Sequence, residues 1–186
     1  MIDIGSSTGG FSDCAIQNGI EKVYAIDVGS EQFDKELAKN PKIVLMEKTD
    51  FRKILKEKLD DANFITIDVS FISVTKLMEK ISELTKVQEI ICLIKPQFEC
   101  GKEIADQYHG IIKNKQVHCD VIKKVLSAFQ DISYECSGIT YSPIQGGDGN
   151  IEYLAYLVKT KEILNNQKDV INVIQTVVNE GNENLK

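Results

Sequence analysis

A glycine-rich turn follows the apolar segment at the start of the chain. A turn with little side-chain bulk before a helix lets a ligand lie against the backbone at the helix N-terminus. The spacing does not match the dinucleotide fingerprint G-x-G-x-x-G, because the second glycine is displaced. We expect the ligand contacts here to come from Asp3, Gly5, Ser6, Ser7, Thr8, Gly9, Gly10 and Phe11.

Two carboxylates come after the next two predicted strands. Asp27 lies about 20 residues after Gly5, the spacing at which a carboxylate accepts hydrogen bonds from both ribose hydroxyls. Asp50 could accept from the exocyclic amine of adenine, or it could cap a helix that begins directly after it. With their neighbours Val28 and Phe51, these residues describe an adenosine pocket. S-adenosylmethionine fits this pocket better than NAD, because the sequence shows no cradle for a pyrophosphate.

A second group of charged residues stands at the edges of apolar strands. Asp68 ends one buried strand and Lys95 ends the next, and Glu152 stands at the start of the last strand. Buried parallel strands tolerate a charge poorly unless it lies at the rim or is paired. We expect these three side chains to face one crevice above the cofactor, and Asp68 is counted with both groups. A structural salt bridge between Asp68 and Lys95 is the alternative.

Apolar segments of strand and helix period alternate along the chain and must position these residues. Strands are predicted in 1–4, 22–28, 42–48, 63–71, 89–95, 132–142 and 151–159. Helices are predicted in 9–19, 30–40, 51–59, 73–85 and 113–131, with a terminal helix around 170–177. The segment between Pro96 and Ile111 is predicted to be a long functional loop, because most connections are shorter.

This alternation predicts an α/β fold with a doubly wound, mostly parallel sheet and helices on both faces. The connection between strands six and seven is too short for a helical crossover, so the seventh strand should run antiparallel. Five parallel units and a terminal hairpin are the layout of the Rossmann-like, seven-stranded methyltransferases. We expect one S-adenosylmethionine-dependent domain in residues 1–160, with 161–186 as its C-terminal helical tail.

Composition and charge exclude several classes of protein. The 186 residues include no apolar run of the roughly 20 residues that a membrane span needs. No signal peptide is evident, which favours a cytoplasmic protein. The five cysteines lie far apart, so we expect neither a metal site nor a disulfide framework, and Cys14 and Cys92 should be buried. A net charge of −6 with Arg52 as the one arginine argues against a self-sufficient RNA binder.

Five segments together resemble the motifs of a known enzyme family. They are DIGSSTGGFSDC, VYAIDVG, DVSFIS, LIKPQFE and YSPIQGGDGNIEYL. They resemble the TlyA (hemolysin A) family of FtsJ-like ribosomal RNA 2′-O-methyltransferases, and the resemblance extends to about Lys159. It implies S-adenosylmethionine as methyl donor and a ribose 2′-hydroxyl of ribosomal RNA as acceptor.

The resemblance also implies a Lys-Asp-Lys-Glu catalytic set, whose last three members match Asp68, Lys95 and Glu152. In the family, the first lysine and a small RNA-binding S4-like domain precede the glycine-rich turn, and this sequence has no residue at those positions. We therefore expect a catalytic domain separated from the part that grips ribosomal RNA, weak or inactive alone. Lys95 is expected to act as a base or to steer the hydroxyl, oriented by the two carboxylates.

Three other interpretations remain open at this point. A small-molecule methyltransferase would share the cofactor pocket without needing the second group of charged residues. A hemolysin without enzyme activity is suggested by the family name, although no segment is apolar enough to span a bilayer. A cofactor-binding module that is inactive as it stands is the third. The target nucleotide and the oligomeric state do not follow from the sequence.

Overall fold

Seven strands form one sheet in the part of the chain that the structure, a computed structural model, describes: residues 1–161 and 167–185. The strand order is β3-β2-β1-β4-β5-β7-β6. The strands are β1 (Ile2–Ile4), β2 (Val23–Ile26), β3 (Ile43–Met46), β4 (Phe64–Ile67), β5 (Glu89–Ile94), β6 (Tyr134–Tyr141) and β7 (Tyr153–Lys159). The predicted seven-stranded sheet, mostly parallel with an antiparallel last strand, is confirmed.

Six α-helices accompany these strands within the described ranges. They are α1 (Gly10–Gln17), α2 (Met78–Glu83), α3 (Pro96–Glu99), α4 (Lys102–Gln107), α5 (Lys115–Gln130) and α6 (Gln167–Asn184). Single turns of 3-10 helix occur at Leu37–Lys39, Phe51–Lys53, Lys56–Lys58 and Val74–Leu77. The predicted long helix near residues 113–131 and the predicted terminal helix are confirmed as α5 and α6.

The chain divides into two compact units. The first comprises Met1–Val69 and Glu79–Ile90, and the second comprises Ser70–Met78 and Ile91–Lys186. The boundaries of these units reflect how residues pack and do not define functional domains. The expectation of one methyltransferase domain in 1–160 stays a prediction, and part of the predicted tail lies outside the described residues.

The first unit is built on the parallel strands β1 to β4. Its central strand β1 pairs with β2 and with β4, so that Ile2 lies beside Tyr24 and Ile65. The residues of β1 and β2 are buried throughout, as expected for parallel strands covered on both faces. Each fully buried isoleucine contributes about 1.5–3 kcal/mol, and these side chains fix the register that places the glycine-rich turn.

The second unit is built on the antiparallel hairpin of β6 and β7. Tyr141 pairs with Tyr153 near the turn, and Tyr134 pairs with Lys159 at the far end. Helix α5 begins at a cap in which the side chain of Asn114 accepts from the backbone N–H of Gln116. Helix α6 packs against α5 and β6. The hairpin turn, residues 142–152, therefore lies between two anchored strands.

Two predicted helices in the first unit are wrong. Residues 30–40 form only the 3-10 turn at Leu37–Lys39, where the Asp34 carboxylate accepts from the backbone N–H groups of Glu36 and Leu37. Residues 51–59 form two separate 3-10 turns, because Ile54 and Leu55 take extended backbone angles. Ile54 is buried by this break, so core packing overrides the helical pattern of the local sequence.

Two further expectations also need correction. The predicted loop between Pro96 and Ile111 carries the short helices α3 and α4. Cys92 is buried as predicted, whereas Cys14 is exposed on α1. A helix with the length and hydropathy of a bilayer span is absent from residues 1–161 and 167–185.

Candidate active site

The glycine-rich turn is shaped by the backbone behind it. The N–H groups of Gly5 and Ser6 both donate to the carbonyl of Ile26, at 2.9 and 3.1 Å. Gly5 has φ of 82°, and a Cβ built there would lie 2.2 Å from the carbonyl oxygen of Asp68. Only glycine fits this position, because the turn passes directly against the end of β4. Gly5 and Asp68 are thus brought together as neighbours.

Asp3 supports the turn from inside the first unit. It is fully buried, and its two carboxylate oxygens accept from the Ser12 hydroxyl at 2.6 Å and the Thr66 hydroxyl at 2.8 Å. Burial raises the pKa of the Asp3 carboxyl, and these two donors oppose the rise. Asp3 therefore joins α1, β1 and β4, and its carboxylate lines no open surface. The predicted contact of Asp3 with a cofactor stays a prediction.

Asp27 is held in a fixed orientation after β2. Its Oδ2 accepts from the backbone N–H of Ser7 at 2.8 Å, and its Oδ1 accepts from Gly29 N–H at 2.7 Å. The carboxylate is half-buried and links the glycine-rich turn to the turn after β2. Val28, next to it, is 75% exposed and offers a bare apolar side chain beside that carboxylate. This arrangement suits a ribose and the face of a base.

Asp50 caps the 3-10 turn that follows it, which is the alternative role that the sequence left open. Its side chain accepts from the backbone N–H of Arg52, and the Arg52 guanidinium donates to both carboxylate oxygens at 2.9 and 2.8 Å. The guanidinium holds the pKa of Asp50 below its usual value. The ring of Phe51 is buried, so a cofactor could contact Phe51 only through its backbone. Contact of either residue with adenine stays a prediction.

A cavity of about 550 Å³ opens beside the turn in the first unit. Thr8, Gly9 and Gly10 line one side of it, and Asp34, Glu36 and Leu37 line another. Of the residues predicted to contact the cofactor, only Thr8, Gly9 and Gly10 line this cavity. Asp27, Asp50 and Asp68 do not line it. Among the described residues, no group of three His, Cys, Asp or Glu side chains could hold a metal ion.

Lys95 stands in the second unit, between β5 and α3. Its Nζ donates to the hydroxyl of Ser70 at 3.1 Å and lies 6.0 Å from the centroid of the Phe98 ring. Pro96 starts α3 directly after the lysine, and its ring requires an extended backbone at Lys95. The strand end and the proline together fix where the lysine leaves the sheet.

Glu152 precedes β7 and is almost fully buried. Its Oε1 accepts from the side-chain amide of Gln97 at 3.0 Å, and its backbone carbonyl accepts from Ser142 N–H at 2.7 Å. A Cβ built at Gly146 would lie 2.6 Å from the same Oε1, so a larger residue there would push the Glu152 carboxylate aside. Because β5 and β7 are antiparallel neighbours, Lys95 and Glu152 belong to the same edge of the sheet.

Several side chains around Lys95 and Glu152 were not foreseen from the sequence. Gln97, Phe98 and Glu99 lie in α3, a segment predicted to be a loop, and Phe71 projects from the segment after Asp68. The available signal was the polar and aromatic content of PQFE directly after a strand end. That Asp68, Lys95 and Glu152 form one catalytic set stays a prediction.

Comparison with protein families matches residues 1–159 to the FtsJ-like methyltransferases. The chain belongs to the FtsJ-like methyltransferase family. It is 42% identical over 189 residues to YqxC of Bacillus subtilis, a protein provisionally named an rRNA methyltransferase, covering 100% of this chain and 67% of that protein. It is 39% identical to the TlyA 23S rRNA (cytidine-2′-O)-methyltransferase of Campylobacter jejuni, covering 85% of this chain and 61% of that protein.

A solved structure shows the same fold in this family. It is a protein of Streptococcus thermophilus, provisionally named a hemolysin, with a TM-score of 0.86 and 38% identity, covering 98% of this chain and 66% of that one. The FtsJ-like chain described here thus spans about two thirds of the length of the relatives that it matches.

S-adenosyl-L-methionine is the cofactor of this FtsJ-like methyltransferase, and two observations fit it to the glycine-rich turn. The Ser6 hydroxyl is buried, and its oxygen has no hydrogen-bond partner among the described residues. A Cβ built at Gly10, the first residue of α1, would meet no atom within 4 Å. A buried hydroxyl without a partner, next to open space along the backbone, is explained by a polar ligand that binds against the turn. That Ser6, Gly10 and Asp27 would hold the cofactor stays a prediction.

Proposed function

We propose that this chain transfers a methyl group to a ribose 2′-hydroxyl of ribosomal RNA. The observation that carries the proposal is the family match across residues 1–159, which includes Lys95 and Glu152 at one edge of the sheet. The names of YqxC and of the Campylobacter TlyA protein support ribosomal RNA as the substrate. The family match favours methyl transfer over the hemolysin interpretation.

Within this proposal, the chain positions the ribose hydroxyl and accepts or directs the proton that this hydroxyl loses. S-adenosyl-L-methionine supplies, when bound, an electrophilic methyl group on a sulfonium sulfur. Lys95 holds the ribose hydroxyl or takes up the proton that it loses, and Glu152 orients the lysine. A role for Asp68 in orienting the lysine stays a prediction. Orientation of two reactants can lower a barrier by about 7–11 kcal/mol, so fixed side chains count for more here than chemical reactivity.

Phe71 supports an RNA acceptor rather than a small metabolite. Its side chain is 91% exposed, and its ring centroid lies 5.0 Å from that of Phe98, which in turn lies beside Lys95. Unstacked RNA bases are recognised by stacking on exposed aromatic rings, which contributes about 1–3 kcal/mol per base. We assign Phe71 to contact with a base of the substrate. The contribution of an N-terminal RNA-binding domain stays a prediction.

Transfer of a labelled methyl group tests the proposal. The chain is incubated with methyl-labelled S-adenosyl-L-methionine and with ribosomal subunits, and the RNA is then isolated and counted. We expect weak but measurable label in the RNA with the parent chain, because tight binding of ribosomal RNA is expected to come from another domain, and none with Lys95→Met. Lys86→Met, a change of an exposed lysine in the other unit, should leave transfer unchanged. Equal transfer by Lys95→Met removes Lys95 from the mechanism. Label in small metabolites but never in RNA would overturn the substrate.

A further inference from the structure

Glu99, the last residue of α3, is a buried carboxylate outside the predicted catalytic set. It is 3% exposed. Its Oε2 accepts from the hydroxyl of Ser73 at 2.5 Å, and its Oε1 accepts from the backbone N–H of Val74 at 2.6 Å. Burial of a carboxylate is costly unless hydrogen bonds compensate for lost water. Both of these bonds end on one short stretch of chain, so the carboxylate is directed at that stretch.

That stretch, residues 70–74, is here called the Phe71 segment. Phe71 has φ of 66°, in the left-handed region, where a bulky side chain is strained. Its ring is nonetheless held out from the protein at 91% exposure. Strain at an exposed aromatic residue persists only where the surroundings determine the conformation. Burial of the ring cannot be what holds it.

The surroundings that hold the Phe71 segment come from Lys95 and α3. Lys95 donates to Ser70 at the start of the segment, and the Phe98 ring contacts the Phe71 ring in the middle. Glu99 holds the end. Ser73 also caps the 3-10 turn Val74–Leu77 by accepting from the N–H of Thr75, while its hydroxyl donates to Glu99. Glu99 thereby fixes the point where the segment enters that turn.

We propose that Glu99 is a positioning residue that fixes the Phe71 segment and so keeps Phe71 presented to the RNA substrate. The part that concerns RNA rests on the function proposed above. The mechanical part does not, because it concerns how firmly the segment is held in the free protein. A carboxylate suits this task because both of its oxygens accept, whereas an amide keeps one acceptor oxygen and would turn its NH2 group towards either the Ser73 hydroxyl or the Val74 N–H.

A tryptophan reporter tests the mechanical part directly. The chain contains no tryptophan, so Phe71→Trp places a single fluorophore on the segment. We expect high fluorescence anisotropy for this parent and a clearly lower value when Glu99→Gln is added. Ser73→Ala, which removes one of the two bonds, should give an intermediate value. Leu157→Ala is the matched control, because it opens a cavity in the buried face of β7 and lowers stability while leaving the hydrogen bonds of Glu99 in place.

Hydrogen exchange gives the same test without a tryptophan. In Glu99→Gln, amide exchange should accelerate in a peptide covering residues 70–77, while exchange in the β6–β7 hairpin stays as in the parent. Unchanged anisotropy and unchanged exchange in Glu99→Gln would overturn the proposal. Acceleration spread evenly over the whole unit would do so too, because it would give Glu99 a general structural role.

Kinetics connect the segment to the substrate. For Glu99→Gln we expect kcat/KM for ribosomal RNA to fall about tenfold, within the range of up to about 100-fold that small displacements of positioning groups produce. Calorimetric affinity for S-adenosyl-L-methionine should remain that of the parent. A loosened segment with undiminished RNA methylation would overturn the presentation of Phe71. A parent chain that holds the segment firmly but methylates no RNA would refute the proposed function while leaving the mechanical inference standing.

Discussion

The side-chain amide of Gln97 donates a hydrogen bond of 3.0 Å to the Oε1 atom of Glu152. This bond joins α3, directly after Lys95, to the residue before β7. Replacement of Gln97 by alanine should lower kcat about tenfold or more, because a hydrogen bond to a charged group contributes about 1.5–3 kcal/mol. Single-turnover methylation measures this, with Gln107→Ala on the exposed face of α4 as the control. A parent-like rate for Gln97→Ala would mean either that Glu152 has no part in the mechanism or that Gln97 is not needed to position Glu152.

Gly146 and Gly147 form a matched pair in the loop before β7. An alanine Cβ at Gly146 would lie 2.6 Å from the carboxylate oxygen of Glu152, whereas at Gly147 it would meet nothing within 4 Å. Gly146→Ala should therefore displace Glu152 and reduce methyl transfer, while Gly147→Ala should be active. The comparison needs only initial rates at one RNA concentration. Equal rates for the two variants would show that the position of Glu152 does not limit the reaction.

A substitution at Gly10 should affect cofactor binding and stability in opposite directions. It is exposed, has no left-handed φ, and has open space where a Cβ would stand. Gly10→Ala should stabilise the fold by about 0.4–1 kcal/mol, the usual gain at a compatible glycine. It should weaken binding of S-adenosyl-L-methionine in calorimetry, because the methyl group would occupy the space assigned to the cofactor. Gly138→Ala, equally open in β6, should leave binding unchanged, and identical affinities for both variants would place the cofactor elsewhere.

His118 gives the second unit a dependence on pH. Its Nε2 donates to the carbonyl of Ile112 at 2.8 Å, and its Nδ1 lies 2.6 Å from the Tyr153 hydroxyl, which donates to Nδ1 when the ring is neutral. Burial lowers the pKa of His118 below its ordinary value of 6.5. As pH falls below 6.5 only the unfolded state takes up this proton, so stability present above 6.5 is lost. Each pH unit in that window costs about 1.4 kcal/mol.

Thermal unfolding between pH 7.5 and pH 5.5 checks this account of His118. The parent chain should lose more of its Tm over that range than His118→Gln, which cannot titrate. The exposed His109 is present in both proteins and cancels in the comparison. Parallel curves for the two proteins would mean that His118 is not the group that titrates.

The sheet was predictable because runs such as IDI, VYAI and FITI carry their own signal of burial on both faces. The positions of Asp27, Lys95 and Glu152 next to the ends of strands could then be predicted from the sequence. Helix 51–59 was not predictable, because its local pattern is helical and only the burial of Ile54 breaks it. Gln97 and Glu99 were missed for a related reason. Their partners, Glu152 and Ser73, lie far away in the sequence, and no local pattern encodes such contacts.

The central claim is that the acceptor is the 2′-oxygen of a ribose, and one measurement addresses it directly. Ribosomal RNA methylated by this chain with labelled S-adenosyl-L-methionine is digested to nucleosides, and mass spectrometry assigns the label to sugar or base. We predict label on the ribose of one or a few nucleosides, at positions where the 2′-O-methyl group protects the RNA from alkaline cleavage. Label on a base, or RNA that remains fully sensitive to alkali, would contradict the account.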